Sequence, residues 1–193
     1  MARRAEISRK TKETDVRVAV DLDGGAVEIS TGVGFFDHML ASFALHGGLG
    51  LTLKAEGDLC VDAHHTVEDV GIVLGKALSQ ALGDRAGIER FADCAVPMDE
   101  ALCCAALDLG GRPYLAFDVP APQERIGGYD ACLTEEFMRA VAMNAALTLH
   151  LSCRAGRNGH HITEAAYKAF ARAFRKAAAQ VSSGVPSTKG TLL

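Results

Sequence analysis

The sequence predicts an α+β fold of internally duplicated halves, each a small, mostly antiparallel sheet with two helices on one face, the helices packed between the sheets. Three observations lead there. The pair His64-His65 with Glu68 recurs as His160-His161 with Glu164, 96 residues later and with every internal spacing kept. Leu51-Thr52-Leu53 returns as Leu147-Thr148-Leu149 at the same shift, and Asp62 returns as Asn158. Each copy also passes from a strand-like apolar run into a long helical one. Recurrence at a fixed interval indicates two halves, 1–85 and 86–193, fused without a linker and each contributing part of a site.

In order along the chain, Val16, Val18, Val20 and Leu22 alternate with other residues before Asp23-Gly24-Gly25, which reads as a strand and a turn. Residues 26–30 are expected to return as the antiparallel partner of that strand, a hairpin. A short helix follows over 35–46 and a strand over 49–55. From 62 to 82 the apolar positions Val67, Val70, Leu74, Ala77 and Ala81 fall on one helical stripe, and Gly83 is a plausible stop. The second half repeats this order. Residues 103–109 and 114–119 bracket the turn Gly110-Gly111-Arg112-Pro113 as a second expected hairpin. A helix from about 133, a strand from 147 and a final helix with Ile162, Ala166, Phe170, Ala173 and Ala177 on one stripe complete it.

The histidines carry the chemistry. Each residue of an α-helix turns the direction by about 100°, so His64 and Glu68 share a face while His65 points elsewhere. Neighbouring histidines in such a helix suit two separate metals. Asp62 and Asn158 are good N-cap residues, which puts both pairs in a first turn where the positive end of the helix dipole disfavours imidazolium. Neutral imidazole is the form that ligates. A single His-His pair is ordinarily a surface or capping feature; four of the chain's seven histidines in two identical patterns, each with a carboxylate one turn on, point to metal. Imidazole plus carboxylate suits Mn, Fe or Zn alike. The His-Glu-x-x-His order of zinc proteases and the glycine fingerprints of nucleotide sites are absent.

Composition narrows the class. The chain has 193 residues, 49% of them hydrophobic, enough for one good-sized core or two small fused ones. With 20 basic against 24 acidic residues it has no charge excess suited to nucleic acid. No apolar run approaches the roughly 20 residues needed to cross a bilayer. Six cysteines without a Cys-x-x-Cys pair, and an amino terminus with arginines but no apolar signal core, fit free thiols in a reducing cytoplasm. A paired-metal hydrolase and a metal-storage protein are the rival classes for such a ligand set.

Five blocks then match a known family in family order: Gly34-Phe35-Phe36-Asp37-His38-Met39-Leu40, Asp62-Ala63-His64-His65-Thr66-Val67-Glu68-Asp69, Pro97-Met98-Asp99-Glu100-Ala101-Leu102, the segment 160–168, and Pro186-Ser187-Thr188-Lys189-Gly190. Over nearly its whole length the chain resembles imidazoleglycerol-phosphate dehydratase of histidine biosynthesis. The resemblance implies manganese-dependent dehydration of D-erythro-imidazole glycerol phosphate to imidazole acetol phosphate, with two Mn²⁺ per active site. It implies one metal held by His38, His65, His160 and Glu164, and another by His64, Glu68, His161 and a residue of the helix after 133. At that last position the family often has His, whereas this chain offers Glu136, a carboxylate that can ligate Mn. His65, Glu68, His161 and Glu164 would thereby act in catalysis as metal ligands. Glu13 matches the family position for a substrate-contacting carboxylate that exchanges protons with the diol. His46, Arg90, Arg112, Lys168, Ser187 and Lys189 match substrate-binding positions, the cations and hydroxyl suiting a phosphate. The resemblance also implies a homo-oligomer, a 24-mer built from trimers with sites between subunits.

Overall fold

A computed structural model of the protein describes residues 3–181 together with Gly184 and Ser187. Its elements come in two runs of the same order. The first is β1 (Arg4–Lys10), β2 (Thr14–Asp21), β3 (Val27–Ser30), α1 (Gly34–Gly47), β4 (Gly50–Gly57) and α2 (His64–Leu82). The second is β5 (Phe91–Met98), β6 (Ala101–Asp108), β7 (Tyr114–Asp118), α3 (Leu133–Asn144), β10 (Thr148–Ala155) and α4 (Gly159–Ala177), with a small hairpin of β8 (Arg125–Ile126) and β9 (Tyr129–Asp130) inserted before α3.

Both four-stranded sheets have one topology, β1-β2-β4-β3 and β5-β6-β10-β7. Register makes the duplication concrete. Val18 and Ile29 flank Leu53 in the first sheet, while Leu107 and Leu115 flank its counterpart Leu149 in the second. Val18, Leu53, Leu107 and Leu149 are buried under the helices. The alternation in β2 and the helical stripes of α2 and α4 all face this interior; Val16, Val70, Leu74, Ile162 and Phe170 are wholly buried. Each such Leu, Ile or Phe contributes about 1.5–3 kcal/mol of apolar burial.

The two expected hairpins do not form. β3 pairs in parallel with β4 rather than antiparallel with β2, and β7 pairs in parallel with β10 rather than with β6. The reason is backbone reversal without strand return: Gly24, at φ 105°, turns the chain away from β2, and the strand then takes the free side of β4 across α1. β1 and β5, which the apolar pattern did not reveal, are the antiparallel partners of β2 and β6.

The four helices lie between the sheets and pair across the halves, α1 with α4 and α2 with α3. Phe43 meets Phe170 at 5.1 Å between ring centroids in the first pair. In the second, a Cβ at Gly71 would lie 2.7 Å from the Ala140 Cβ, and one at Gly75 would lie 2.8 Å from the Asn144 Cβ. No helix among the described residues is long and apolar enough to cross a membrane.

Candidate metal centre

At the start of α4, the Asn158 side chain accepts the His160 N–H at 3.0 Å, which fixes the first helical turn. One turn on, Glu164 is buried and its Oε2 lies 3.1 Å from His160 Nε2. Because α1 runs along α4, His38 joins them, with Nε2 3.3 Å from the same oxygen. His38, His160 and Glu164 thus offer three donor atoms within 4.8 Å of one another. Among the described residues no other three His, Cys, Asp or Glu side chains converge in this way. Lys168 holds the second oxygen of Glu164 at 2.7 Å. Burial pushes the Glu164 carboxyl up, but Lys168 and His38 outweigh it and bring the pKa below the ordinary value. His46, at the end of α1, is lowered by burial and by the nearby Lys168 and Arg172.

The start of α2 is built alike. The helix begins at His64 with Ala63 as its cap, one residue beyond the expected Asp62, yet Asp62 Oδ1 still accepts the His64 N–H at 2.7 Å. His64 Nε2 stands 3.9 Å from Glu68 Oε2. Within each pair the rings are nearly perpendicular, 87° for His64-His65 and 82° for His160-His161, so adjacent histidines do aim apart.

The second histidine of each pair meets a carboxylate. His65 Nδ1 lies 3.0 Å from Asp58 Oδ2, and His161 Nδ1 lies 2.7 Å from Glu100 Oε2. These contacts overturn the expectation that the helix dipole dominates: the Asp58 and Glu100 hydrogen bonds raise the pKa of His65 and His161. The His161 contact, with backbone N–H groups of Asn158 and Arg157, in turn draws Glu100 down to about 2. Glu13, on the turn between β1 and β2, adds its negative charge near His65, and its carbonyl accepts the Asp58 N–H at 3.1 Å. Asp69 of α2 is buried and tethers that turn through Thr14 and Arg9.

One chain does not assemble either expected quartet. His65 is not joined to His38, His160 and Glu164, and His64, Glu68, Glu136 and His161 do not converge. Glu136 sits in the first turns of α3 beside α2, since Gly71 faces Phe137.

The expected phosphate residues lie elsewhere. Arg90 Nε and Arg112 Nη2 reach opposite oxygens of Asp108 at 2.7 and 3.2 Å. The Arg90 N–H donates to the carbonyl of Ala177, at the far end of α4, about 25 Å from His160 at 1.5 Å per residue. Lys168, by contrast, is at the His38 cluster. Ser187 is half-buried, and Lys189 lies outside the described residues. A cleft of ≈ 540 Å³ lined by Glu100, Gln123, Arg157, Asn158 and His161 adjoins the start of α4. A concavity of ≈ 590 Å³ at the edge of the first sheet, with Arg4, Glu6 and Asp21 in its wall, holds no imidazole.

The model of the imidazoleglycerol-phosphate dehydratase family matches residues 31–174. The chain belongs to that family. An imidazoleglycerol-phosphate dehydratase of Gluconobacter oxydans is 54% identical over 195 residues, covering 99% of this chain and 98% of its own. One of Acetivibrio thermocellus is 56% identical over 195 residues, with 100% of both chains covered. The crystal structure of imidazoleglycerol-phosphate dehydratase from Staphylococcus aureus superposes with a TM-score of 0.84 at 38% identity, covering 93% of this chain and 99% of that one. A Pyrococcus furiosus family structure, in complex with (S)-C348, gives 0.84 at 37% identity, over 96% and 99%. As a member of a dehydratase family the chain is a hydro-lyase.

Proposed function

We propose that the protein dehydrates D-erythro-imidazole glycerol phosphate to imidazole acetol phosphate in L-histidine biosynthesis, in the cytoplasm, with two Mn²⁺ per active site. The observation that carries this reading is the convergence of His38, His160 and Glu164 on one point, in a chain that matches the dehydratases end to end. Two imidazoles and a buried, ionised carboxylate fit a divalent cation of the Mn type. The remaining ligands in this reading are His65 for that metal, and His64, Glu68, His161 and Glu136 for the other.

The substrate sets the chemical problem. A proton must leave a carbon that has no adjacent carbonyl, so the imidazole ring has to take up the electron pair. A divalent cation held by these ligands would supply Lewis-acid stabilisation of that negative charge. The side chains of this protein supply the rest. Glu13, close enough to act on the His65 ring electrostatically, is suited to exchange a proton with the diol. Lys168 and His46 add positive charge and a hydrogen-bonding edge beside Glu164. Arg90 and Arg112, aligned side by side on Asp108, together with Ser187 and Lys189, offer the forked and point-charge donors that a phosphate takes.

The length of α4 from His160 to Ala177, whose carbonyl accepts the Arg90 N–H, is about 25 Å and exceeds the length of this substrate. That span, and the split of each ligand quartet, support sites completed between copies in a homo-oligomer, with a 24-mer of trimers as the proposed assembly. No nucleic acid or membrane takes part in this reading. The test is to incubate Mn²⁺-loaded protein with imidazole glycerol phosphate and follow formation of the keto product. Phosphate release from simple esters, or metal uptake without turnover, would count against it.

A further inference from the structure

We propose that Asp58 and Glu100 are outer carboxylates that hold His65 and His161 by Nδ1, so that each ring presents Nε2 to a divalent cation. The inference rests on the preceding reading of these histidines as ligands and adds two residues to the metal machinery.

A neutral imidazole has one N–H and one lone pair, and only the lone pair can bind a metal. A carboxylate that accepts the Nδ1–H therefore fixes both the tautomer and the ring plane. The two histidines of each pair are treated differently. His64 and His160 turn Nε2 toward a glutamate one turn on, at 3.9 and 3.1 Å. His65 and His161 turn Nδ1 toward Asp58 and Glu100, at 3.0 and 2.7 Å.

Duplication alone does not account for this. Asp58 comes from the loop after β4, whereas the residue 96 positions later is Arg154, which cannot accept a hydrogen bond. Glu100 comes instead from the turn between β5 and β6. The two halves thus reach one geometry with non-equivalent residues. Glu100 is anchored through its carboxylate and Asp58 through its backbone. Glu100 Oε1 accepts the N–H groups of Arg157 and Asn158 at 3.1 and 2.8 Å, which ties it to the start of α4. The Asp58 backbone is tied to the carbonyl of Glu13 at 3.1 Å.

The test uses full-length protein and Mn²⁺ alone, titrated by calorimetry. Asp58→Asn and Glu100→Gln are expected to weaken Mn²⁺ binding by about 10- to 100-fold each, and Glu56→Gln on the outer sheet face to leave it unchanged. An amide can turn its NH₂ toward Nδ1 and force the proton onto Nε2. Ring-labelled histidine in the metal-free protein, observed by ¹⁵N magic-angle-spinning spectroscopy, should then show one ring change tautomer in each variant. Glu100→Asp keeps the charge and should lose less affinity, which guards against a folding defect in the amide variant. Unchanged Mn²⁺ affinity and unchanged ring nitrogens in both amide variants would overturn the proposal. If the variants show these responses while the wild-type protein forms no keto product, the carboxylate assignment stands and the proposed reaction falls.

Discussion

Glu164 serves three partners with two oxygens: His38 and His160 share Oε2, and Lys168 takes Oε1. Glu164→Gln removes the charge but keeps the volume, so steady-state assays should show kcat lowered by about 100-fold or more, close to 3 kcal/mol in the barrier, with one of two Mn²⁺ bound more weakly. Loss of metal without loss of turnover would refute the assignment. Arg85 is a second residue on which much rests. It is 1% exposed, and its guanidinium donates to the carbonyls of Leu109, Ala145 and Ala146 at 2.8–3.0 Å, joining the end of α2 to the second half. Arg85→Met removes the donor from two buried carbonyls, of Leu109 and Ala145, and from the half-buried one of Ala146, and urea unfolding should register a loss of roughly 3 kcal/mol or more. At this scale the sequence was legible where helical periodicity ties residues together. His64 with Glu68 and His160 with Glu164 follow from spacing alone; Asp58, Glu100, Asp69 and Arg85 do not, because loops and tertiary packing bring them to their partners.

Among the elements, α2 depends on two glycines that a propensity argument would replace. In an exposed helix Gly→Ala gains about 1 kcal/mol. At Gly75 the added methyl would meet the Asn144 Cβ at 2.8 Å and the Val141 carbonyl oxygen at 2.9 Å, backbone and branch-point atoms of α3 that cannot step aside. Gly75→Ala is therefore expected to destabilise by about 1–3 kcal/mol through overpacking, a sign reversal that thermal or urea unfolding can read directly. A stabilised variant would mean that α2 and α3 approach less closely. The strands teach a related lesson. β2 and β10 declared themselves by apolar content, but β1, with the sequence Arg4-Ala5-Glu6-Ile7-Ser8-Arg9-Lys10, has too few apolar residues for its alternation to stand out. Partner choice was less legible still. Alternation reports that β3 and β7 are strands; it carries no information on whether they pair across the preceding turn or across the helix that follows. Gly24 turns the chain away from β2, and contacts of α1 with β3 and of α3 with β7 accompany the parallel pairing.

For the molecule as a whole, the decisive feature is that one chain holds the parts of the proposed site at separate ends. His38, His160 and Glu164 gather at the start of α4, while Arg90 and Arg112 gather on Asp108 beyond its other end. If each working site takes these two groups from different copies, inactive variants should rescue one another. Arg90→Ala spoils only the phosphate end and Glu164→Gln only the metal end. Dissociating the two, mixing them equally and reassembling with Mn²⁺ places an intact metal end opposite an intact phosphate end in about a quarter of two-chain sites, by random association of symmetric subunits. Activity near that fraction of wild type, absent when either variant is reassembled alone, is the expected outcome. A chain that built its whole site from its own residues would carry one lesion in every site, and the mixture would stay as inactive as its components.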